Sequence, residues 1–357
     1  MTKETSRPQN PELPETARVR VGEQIDSRSL SEYLQANSVS VEQFPAGSSN
    51  LTYLINVDSN ELVLRRPPFG NTVKTAHDMR REFDVLSKLS AVYSPAPKPI
   101  LFCDDESVIG SEFYLMERRR GLIIRGRAPS PLNESPELQR RVCESFMRNL
   151  ATLHSLDYRS AGLGDLGRPE GYCRRQVDGW SKRYFAAKTD ELPQLETAIT
   201  WLNENIPNES AASLVHNDYK FDNVMLDPDD LTTITAVLDW EMVTVGDPLM
   251  DLGTTLGYWM SQDAGTELMN MPFNPRALMD SISRRELVEM YARASGRPVP
   301  DMLFYYVFGT FKIAVIAQQI YARFVKGFTR DPRFSKFNAF VAALGHIGAI
   351  ALERGRI

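Results

Sequence analysis

Eight consecutive residues near the middle of the chain constrain its fold most strongly. From His216 to Asn223 they read His-Asn-Asp-Tyr-Lys-Phe-Asp-Asn, and after a turn and an apolar run the sequence continues Val-Leu-Asp-Trp-Glu, with its first carboxylate at Asp239. Asp and Pro at residues 227–230 favour a turn that folds the second segment back onto the first. The order of these residues predicts a loop and a hairpin that bring Asp218, Asn223 and Asp239 together.

The residue types in this loop are those that phosphoryl transfer requires. Asn223 and Asp239 offer oxygen ligands of the kind that Mg²⁺ prefers. Asp218 is a candidate general base for an attacking hydroxyl, and Lys220 is placed to offset charge on the transferred phosphoryl group. Asp and Asn also favour turns and caps, so a structural role is the alternative for any one of them. The complete string favours catalysis.

Three segments resemble the core motifs of the aminoglycoside phosphotransferase family, which is a branch of the protein-kinase-like fold. They are residues 216–223, the Leu-Asp-Trp-Glu string at 238–241 and the Gly-Asp-Pro-Leu-Met-Asp-Leu-Gly string at 246–253. The resemblance extends over roughly residues 25–330. It implies an α+β, bilobal protein-kinase-like fold, in which a small antiparallel sheet lobe precedes a larger helical lobe.

The same resemblance implies a role for each polar residue in these motifs. Asp218 corresponds to the catalytic base, and Asn223 and Asp239 correspond to magnesium ligands. Asp251 would support the catalytic loop by accepting backbone N–H bonds. His154, on an amphipathic helical segment, matches a histidine that often has a structural role in the family.

A narrower resemblance concerns two other strings. Leu-Val-Leu-Arg-Arg-Pro-Pro at residues 62–68 and Tyr-Cys-Arg-Arg-Gln-Val-Asp-Gly-Trp at residues 172–180 are similar to the kinase-like part of certain acyl-CoA dehydrogenase fusion proteins. The dehydrogenase part is not in this sequence. Flavin chemistry and acyl-CoA oxidation are therefore not expected of it.

Apolar periodicity predicts how the chain is divided. We predict a flexible tail at residues 1–24, an N-terminal nucleotide-binding lobe at 25–118 and a C-terminal helical catalytic and substrate lobe at 119–357. In the first lobe we predict strands at 51–57, 61–65, 100–103 and 113–116, a helix at 74–89, and a short helix capped by Ser27 or Ser29. In the second we predict helices at 138–156, 177–188, 192–205, 284–295 and 301–325, with a single β segment at 224–239.

A turn of small residues is the first candidate for nucleotide binding. Gly47, Ser48, Ser49 and Asn50 could cover phosphates with their backbone N–H groups, because small residues permit close approach. The turn lacks the fuller glycine-rich string of kinases, so a plain hairpin turn is the alternative.

Three charged residues complete the predicted nucleotide site. In kinases a strand lysine pairs with a helix glutamate and holds the α- and β-phosphates. By position that lysine is Arg65 here and its partner is Glu82. Arginine is not a neutral replacement for lysine, so this departure affects how the nucleotide would be held. The link at Glu117 would lie where the adenine edge meets backbone groups.

Two features concern the acceptor. Five arginines follow the predicted link: Arg118, Arg119, Arg120, Arg125 and Arg127. They either form a solvated face or line the mouth of the cleft, where they would attract an anionic substrate or the nucleotide phosphates. The aromatic and Met-rich stretch at residues 256–271 is more often core than site, but its place after the Asp251 motif makes it a candidate substrate wall.

Composition excludes several classes of protein. The net charge of −5 disfavours a nucleic-acid binder, which needs a surplus of Lys and Arg. Three scattered cysteines form no zinc or disulfide pattern. The first twenty residues contain no apolar run typical of a secretory signal, and no membrane span is expected. These features predict a cytoplasmic location and leave the oligomeric state open.

Together the residues predict a phosphotransferase with an alcohol group as acceptor. We expect Mg²⁺ with ATP, or GTP, as the co-substrate, and a hydroxy acid or hydroxyacyl-CoA as the acceptor. The alternatives are a catalytically silent kinase fold that binds nucleotide or acyl-CoA, and a true aminoglycoside kinase. A protein kinase is disfavoured because no Ala-Pro-Glu string follows Asp239.

Overall fold

The computed structural model describes residues 15–45, 50–69, 78–126, 128–260, 265, 268, 275–329 and 331–357. Backbone contacts divide the chain into two units. The first comprises Met1–Ser87 and Pro97–Arg118, and the second comprises Lys88–Ala96 and Arg119–Ile357.

The first unit is built on an antiparallel sheet whose strands lie in the order β1-β2-β3-β5-β4. The strands are β1 (Val39–Gln43), β2 (Leu51–Val57), β3 (Asn60–Arg66), β4 (Pro99–Cys103) and β5 (Phe113–Glu117). Its helices are α1 (Ser27–Leu34), α2 (Met79–Leu89) and α3 (Glu106–Ile109). Alternate strand residues point to one face, where Tyr53, Ile55 and Leu64 pack with Leu30 of α1.

The predicted strands of this unit are present, within a residue or two at their ends. Strand β1 was not predicted. The cap of α1 is also a correction: Asp26, and neither Ser27 nor Ser29, accepts the N–H groups of Arg28 and Ser29. A carboxylate just before the first turn caps a helix as a hydroxyl does and also complements the helix dipole. Residues 74–77 of the predicted second helix lie outside the described residues.

The second unit is mainly helical. Its helices are α4 (Ser130–Glu134), α5 (Pro136–His154), α6 (Tyr172–Ala187), α7 (Pro193–Glu204), α8 (Pro248–Gly257), α9 (Arg276–Ser281), α10 (Arg284–Ser295), α11 (Leu303–Val325) and α12 (Phe337–Arg354). Short 3₁₀ turns lie at Gly164–Leu166, Phe221–Asn223 and Pro332–Lys336.

Small sheets hold the segment of residues 213–246 in this unit. They are formed by β6 (Leu122–Ile123), β7 (Ser213–Val215), β8 (Val224–Leu226), β9 (Ile234–Val237) and β10 (Thr244–Gly246). Strand β8 pairs antiparallel with β6 and β9, and β7 pairs antiparallel with β10. The prediction of a single β segment was therefore wrong, because strands of two or three residues are too short to show an alternating pattern.

Residues Lys88–Ala96 belong to the second unit, although the sequence placed them in the first lobe. Their contacts explain the difference. The Tyr93 ring packs edge-on against Trp240 at 5.9 Å, and its hydroxyl accepts a hydrogen bond from Asn149 at 2.7 Å. The backbone carbonyl of Pro95 accepts the N–H of Val237 at 2.8 Å. This segment is thus fixed to the hairpin that precedes Asp239.

Helices α8 and α11 meet at two glycines. A Cβ atom built at Gly253 would lie 2.2 Å from the carbonyl oxygen of Tyr305, and one built at Gly309 would lie 2.1 Å from the carbonyl oxygen of Gly253. Neither distance is compatible with a side chain. The two helix backbones are therefore in direct contact at this crossing.

Two helical stretches in the described part of the chain have the length and hydropathy of membrane-spanning helices, Leu303–Val325 and Pro332–Arg354. In the most apolar window of the first, 78% of the residues are buried inside the protein, against 39% in the second. Core helices of globular proteins share this length and hydropathy, so the finding is weak evidence for a membrane. The expected absence of a membrane span stays a prediction.

Candidate active site

The candidate catalytic loop, residues 216–223, is held in place by Asp251 in the first turn of α8. This carboxylate is fully buried and accepts the backbone N–H of His216 through Oδ2 and that of Asn217 through Oδ1, each at 2.7 Å. The predicted supporting role of Asp251 is confirmed. His154 at the end of α5 approaches Oδ2 of the same carboxylate at 3.1 Å, and its other ring nitrogen lies 2.8 Å from the hydroxyl of Tyr291.

Burial and hydrogen bonding determine the charge of Asp251. Burial acts to raise its pKa, but the hydrogen bond and charge of His154 and the nearby Lys312 outweigh burial and lower the pKa of the carboxyl. Asp251 is therefore ionised at neutral pH. His154 has the structural role that the sequence suggested.

His216 is buried and fixes the backbone of Asp218. Its Nδ1 accepts the backbone N–H of Asp218 at 3.2 Å, and its Nε2 lies 3.0 Å from the carbonyl oxygen of Leu238. This pattern requires a proton on Nε2 and none on Nδ1. Burial lowers the pKa of His216, which favours that neutral form.

Asp218 lies at the centre of the loop, with 14% of its side chain exposed. Its Oδ2 accepts hydrogen bonds from Lys220 at 2.5 Å and from the amide of Asn223 at 2.9 Å. Its Oδ1 accepts the hydroxyl of Tyr258 at 2.7 Å. The structure therefore brings together both predicted catalytic residues and one predicted metal ligand.

The charges of this cluster are mutually stabilising. Burial opposes ionisation of Asp218, but the charge of Lys220 and its hydrogen bonds keep the pKa of this carboxyl below its ordinary value. Burial likewise disfavours the Lys220 cation, and the charge of Asp218 raises the pKa of the amine in spite of it. Burial and Asp218 raise the pKa of Tyr258, so its hydroxyl stays protonated and remains a donor. Asp218 is thus an ionised carboxylate, as a general base must be.

The predicted metal ligands lie on neighbouring segments of the hairpin. The backbone N–H of Leu238, next to Asp239, donates to the backbone carbonyl of Asn223 at 2.8 Å. Asn223 uses its amide nitrogen on Asp218, so its side-chain oxygen points the other way. Asp239 has a positive φ of 68°, a left-handed conformation that Asp tolerates better than most residues. Two oxygen donors fit Mg²⁺, which usually keeps several waters and phosphate oxygens.

Among the described residues, no group of three or more His, Cys, Asp or Glu side chains could hold a metal ion. The loop therefore contains no all-protein metal cage. Mg²⁺ bound by one carboxylate, one amide oxygen and a nucleotide does not require such a cage. The assignment of Asn223 and Asp239 to Mg²⁺ stays a prediction.

In the first unit, Arg65 on β3 and Glu82 on α2 form the predicted pair. Nη1 of Arg65 lies 2.7 Å from Oε1 of Glu82, and both side chains are buried. The neighbouring Arg66 points to the other face, where it donates to the carbonyl of Ile109 at 2.8 Å and stacks over Phe69 at 3.7 Å. The predicted pair of Arg65 and Glu82 is therefore present, and a role for Arg65 in nucleotide binding stays a prediction. Arg66 stabilises the sheet through its contacts with Ile109 and Phe69.

We expect Arg65→Met and Arg66→Met to have different effects. Arg65→Met should raise the Kd for ATP by a factor on the order of 10 or more, because it removes a cation that would contact phosphate. Arg66→Met should leave the Kd nearly unchanged and lower Tm, because it removes buried contacts of the sheet. Calorimetric titration with ATP and thermal unfolding of both variants would measure this. Equal Kd values for the two variants would contradict the assignment of Arg65.

The remaining nucleotide-site residues are placed as follows. Gly47, Ser48 and Ser49 lie outside the described residues, and Asn50 is buried just before β2. Glu117 ends β5, where its Oε1 accepts the backbone N–H of Lys98 at 2.7 Å. The Glu117 side chain therefore shapes the end of the sheet, and its backbone N–H donates to the carbonyl of Lys98 at 2.9 Å. The predicted contact of this link with an adenine edge stays a prediction.

The run of arginines after β5 is neither wholly solvated nor wholly a binding surface. Arg118 is nearly buried between Glu15 and Glu61, at 2.7 and 2.6 Å. Arg119 donates to the carbonyl of Ser94 at 3.1 Å, and Arg125 pairs with Asp222 in the catalytic loop. These arginines fix segments of their own unit. Arg127 lies outside the described residues.

Two residues in this site were not assigned a role from sequence. Tyr258 was considered only as part of a substrate wall, but its hydroxyl bonds the candidate base. Lys312 in α11 was noted only as a break in an apolar stretch, but its Nζ lies 2.6 Å from the carbonyl oxygen of Asn217. A lone lysine within an otherwise apolar helix was the available signal, because a buried lysine requires a polar partner.

The motifs and the fold agree with known proteins. The model of a family described as "Phosphotransferase enzyme family" matches residues 40–301. The chain belongs to this family and has its kinase-like α+β fold. It is thus a transferase of the kinase class, and the predicted family and fold are confirmed.

The similar proteins fall into two groups. Acyl-CoA dehydrogenase family member 11 of Gallus gallus is 34% identical over 94% of this chain, and the match covers 44% of that protein. The corresponding Homo sapiens protein is 35% identical over 85% of this chain and is covered over 40% of its length. The chain therefore spans less than half the length of these curated relatives.

Solved structures form the second group. A putative aminoglycoside phosphotransferase from Ralstonia eutropha JMP134 superposes with a TM-score of 0.77, at 30% identity, over 93% of this chain and 99% of that one. A thermostable mutant of aminoglycoside phosphotransferase APH(4)-Ia, in a ternary complex with ADP and hygromycin B, has a TM-score of 0.60 at 15% identity, over 91% of this chain and 99% of that one. The second likeness shows the fold alone.

Proposed function

We propose that this protein is an ATP-dependent small-molecule kinase that transfers the γ-phosphate to an alcohol. The observation that carries the proposal is the environment of Asp218, an ionised and largely buried carboxylate in contact with Lys220, Asn223 and Tyr258. Such an arrangement suits a general base within reach of a phosphoryl group. The complex of APH(4)-Ia with ADP supports ATP as co-substrate, and GTP remains the alternative.

In the proposed reaction the acceptor oxygen attacks the γ-phosphorus as the bond to the β–γ bridging oxygen breaks. Asp218 receives the proton of the acceptor hydroxyl, and ADP leaves. Lys220, held 2.5 Å from Asp218, places a cation beside the reacting groups. Mg²⁺, when bound through Asn223 and Asp239, would neutralise charge on the phosphates. Asp251 keeps the loop backbone fixed during the reaction.

For the acceptor we propose a hydroxy acid or its CoA thioester. Residues 255–300 contain five acidic side chains and five arginines, a balance that gives no strong attraction for a polycation. Trp259, Met260 and Met290 of this region are buried in the core, so the charge balance, and not an apolar wall, supports this acceptor. The similarity to acyl-CoA dehydrogenase family member 11 supports an acyl compound.

Two other functions are the alternatives to this proposal. A silent nucleotide-binding fold is favoured by Arg65 in the place of lysine, but the intact group of Asp218, Lys220, Asn223 and Asp239 favours an enzyme. An aminoglycoside kinase is favoured by similarity to proteins named as such, and it would require a more acidic acceptor region than residues 255–300 provide.

A panel of acceptors tests this proposal. Purified protein would be incubated with Mg·ATP and with hydroxy acids, their CoA thioesters or kanamycin, and products would be followed by ³¹P resonance and mass shift. We expect phosphorylation of a hydroxylated acyl compound and little or none of kanamycin, with activity lost in EDTA. Efficient kanamycin phosphorylation would overturn the acceptor, and no product or ATP turnover with any acceptor would favour the silent fold.

A further inference from the structure

Lys312 is a buried cation beneath the catalytic loop that the reaction described above does not use. It is 1% exposed and lies in the middle of α11, a helix composed mainly of apolar residues. Its Nζ donates to the backbone carbonyl of Asn217 at 2.6 Å and lies 3.3 Å from the side-chain oxygen of the same residue. A buried lysine is costly unless it serves a specific partner.

The partner is the peptide group that leads into the candidate base. The carbonyl of Asn217 and the N–H of Asp218 belong to one planar peptide unit. Lys312 binds its oxygen, and Nδ1 of His216 accepts its N–H at 3.2 Å. Both ends of this unit are therefore fixed, so the direction in which the Asp218 side chain leaves the backbone is fixed as well.

Asn217 needs this support because its backbone is in an unfavourable conformation. Its φ is +68°, in the left-handed region that costs energy for residues other than glycine. Tyr172 donates to its side-chain oxygen at 3.2 Å, and its amide donates to the carbonyl of Met242 at 3.1 Å. Side chains on α6 and α11 thus hold one residue of the loop in place.

We propose that Lys312 is a positioning residue, whose charged form holds the Asn217–Asp218 peptide in the orientation that phosphoryl transfer requires. The inference rests on the proposed function, because it assigns Asp218 as the base. Lys312 does not touch substrate. It acts through the loop backbone, and its effect should therefore appear in kcat rather than in the affinity for ATP.

The charge of Lys312 depends on groups that face it from three elements. Burial lowers the pKa of its amine to about 8 from the ordinary 10.5. The charges of Asp251 on α8 and Asp218 in the loop oppose this shift, and Lys220 in the loop and Arg183 on α6 add to it. Raising the pH through about 8 therefore removes the ammonium charge and weakens the bond to the peptide oxygen.

The same shift predicts the opposite trend for stability. Because the pKa is lower in the folded chain, the unfolded chain binds more protons at Lys312 between about pH 8 and pH 10.5. The contribution of Lys312 to the free energy of unfolding therefore rises with pH in this window. If Lys312 positions the loop, kcat falls with rising pH in the same window in which its contribution to the free energy of unfolding rises. If Lys312 is merely structural, kcat does not fall in this window.

The test compares Lys312→Met and Lys312→Arg with Gln318→Met. Gln318 is a matched control, because it is buried on the same helix and donates to the carbonyl of Ala187 at 2.9 Å, outside the catalytic loop. We expect Lys312→Met to lower kcat by a factor on the order of 10 or more with an unchanged Kd for ATP. Lys312→Arg should recover part of kcat and shift the alkaline decline to higher pH, because arginine keeps its charge.

A second measurement does not depend on activity. Deuterium uptake by a peptide covering residues 216–223 should increase in Lys312→Met and stay at the wild-type level in Gln318→Met. Wild-type uptake in Lys312→Met, or a kcat and pH profile equal to those of Gln318→Met, would overturn the proposal. A third outcome is that the wild-type protein transfers no phosphate while deuterium uptake still increases in Lys312→Met. That outcome would contradict the proposed function, but Lys312 would still be shown to support the peptide.

Discussion

Asp218→Asn is expected to lower kcat by a factor of about 10² or more and to leave the Kd for ATP nearly unchanged. The amide keeps the size of the carboxylate and one oxygen that can accept from Lys220 or Tyr258, so the loop should remain folded. It cannot take up a proton from the acceptor hydroxyl. Steady-state kinetics with the acceptor found in the panel, together with calorimetric titration of ATP, would measure both quantities.

Asp222→Asn provides the control for this variant. Asp222 is in the same loop, but its carboxylate pairs with Arg125 and makes no hydrogen bond to Asp218 among those described. A surface ion pair of this kind contributes little to stability, so the loop should stay folded and kcat should change by less than about threefold. Near wild-type kcat in Asp218→Asn, or an equal loss in both variants, would remove Asp218 from the role of base.

Asp239→Ala is expected to abolish the dependence of ATP binding on magnesium. The substitution removes the one anionic side chain among the two predicted ligands, and the asparagine oxygen that remains is a weaker partner for a hard cation. The Kd for ATP would be measured by calorimetry with Mg²⁺ and with EDTA. In the wild type the two values should differ, and in the variant they should converge.

Asp222→Ala serves as the control, because it removes the carboxylate that immediately precedes Asn223 in sequence without altering either proposed ligand. Its magnesium effect should match that of the wild type. A full magnesium effect in Asp239→Ala would mean that the metal is held by other residues. A lost effect in both variants would point to the net charge of the loop rather than to coordination.

The parts of the site that were predictable lie close together in sequence. Asp218, Lys220 and Asn223 lie within six residues, and their spacing implied one loop without knowledge of the tertiary fold. Arg65 and Glu82 were paired from their positions on a strand and a helix, and the structure joins them. Local order and the alternation of strand residues were sufficient for both inferences.

The parts that were not predictable depend on packing between distant segments. Tyr258 and Lys312 come 40 and 94 residues after Asp218, and only the folding of α8 and α11 beneath the loop brings them near it. Strands β7 and β10 were missed because three residues cannot establish a period. Helix α12 was missed because its apolar residues lie on more than one side and give no clear face.

The contact between Gly253 and Gly309 limits how this scaffold can vary. Asp251 lies two residues before one glycine and Lys312 three residues after the other, so the crossing sets the separation of the two side chains that hold the loop. A single methyl group there would force the two helices apart and displace the side chains that hold the loop. Engineering toward a new acceptor therefore has almost no freedom where the two helices touch.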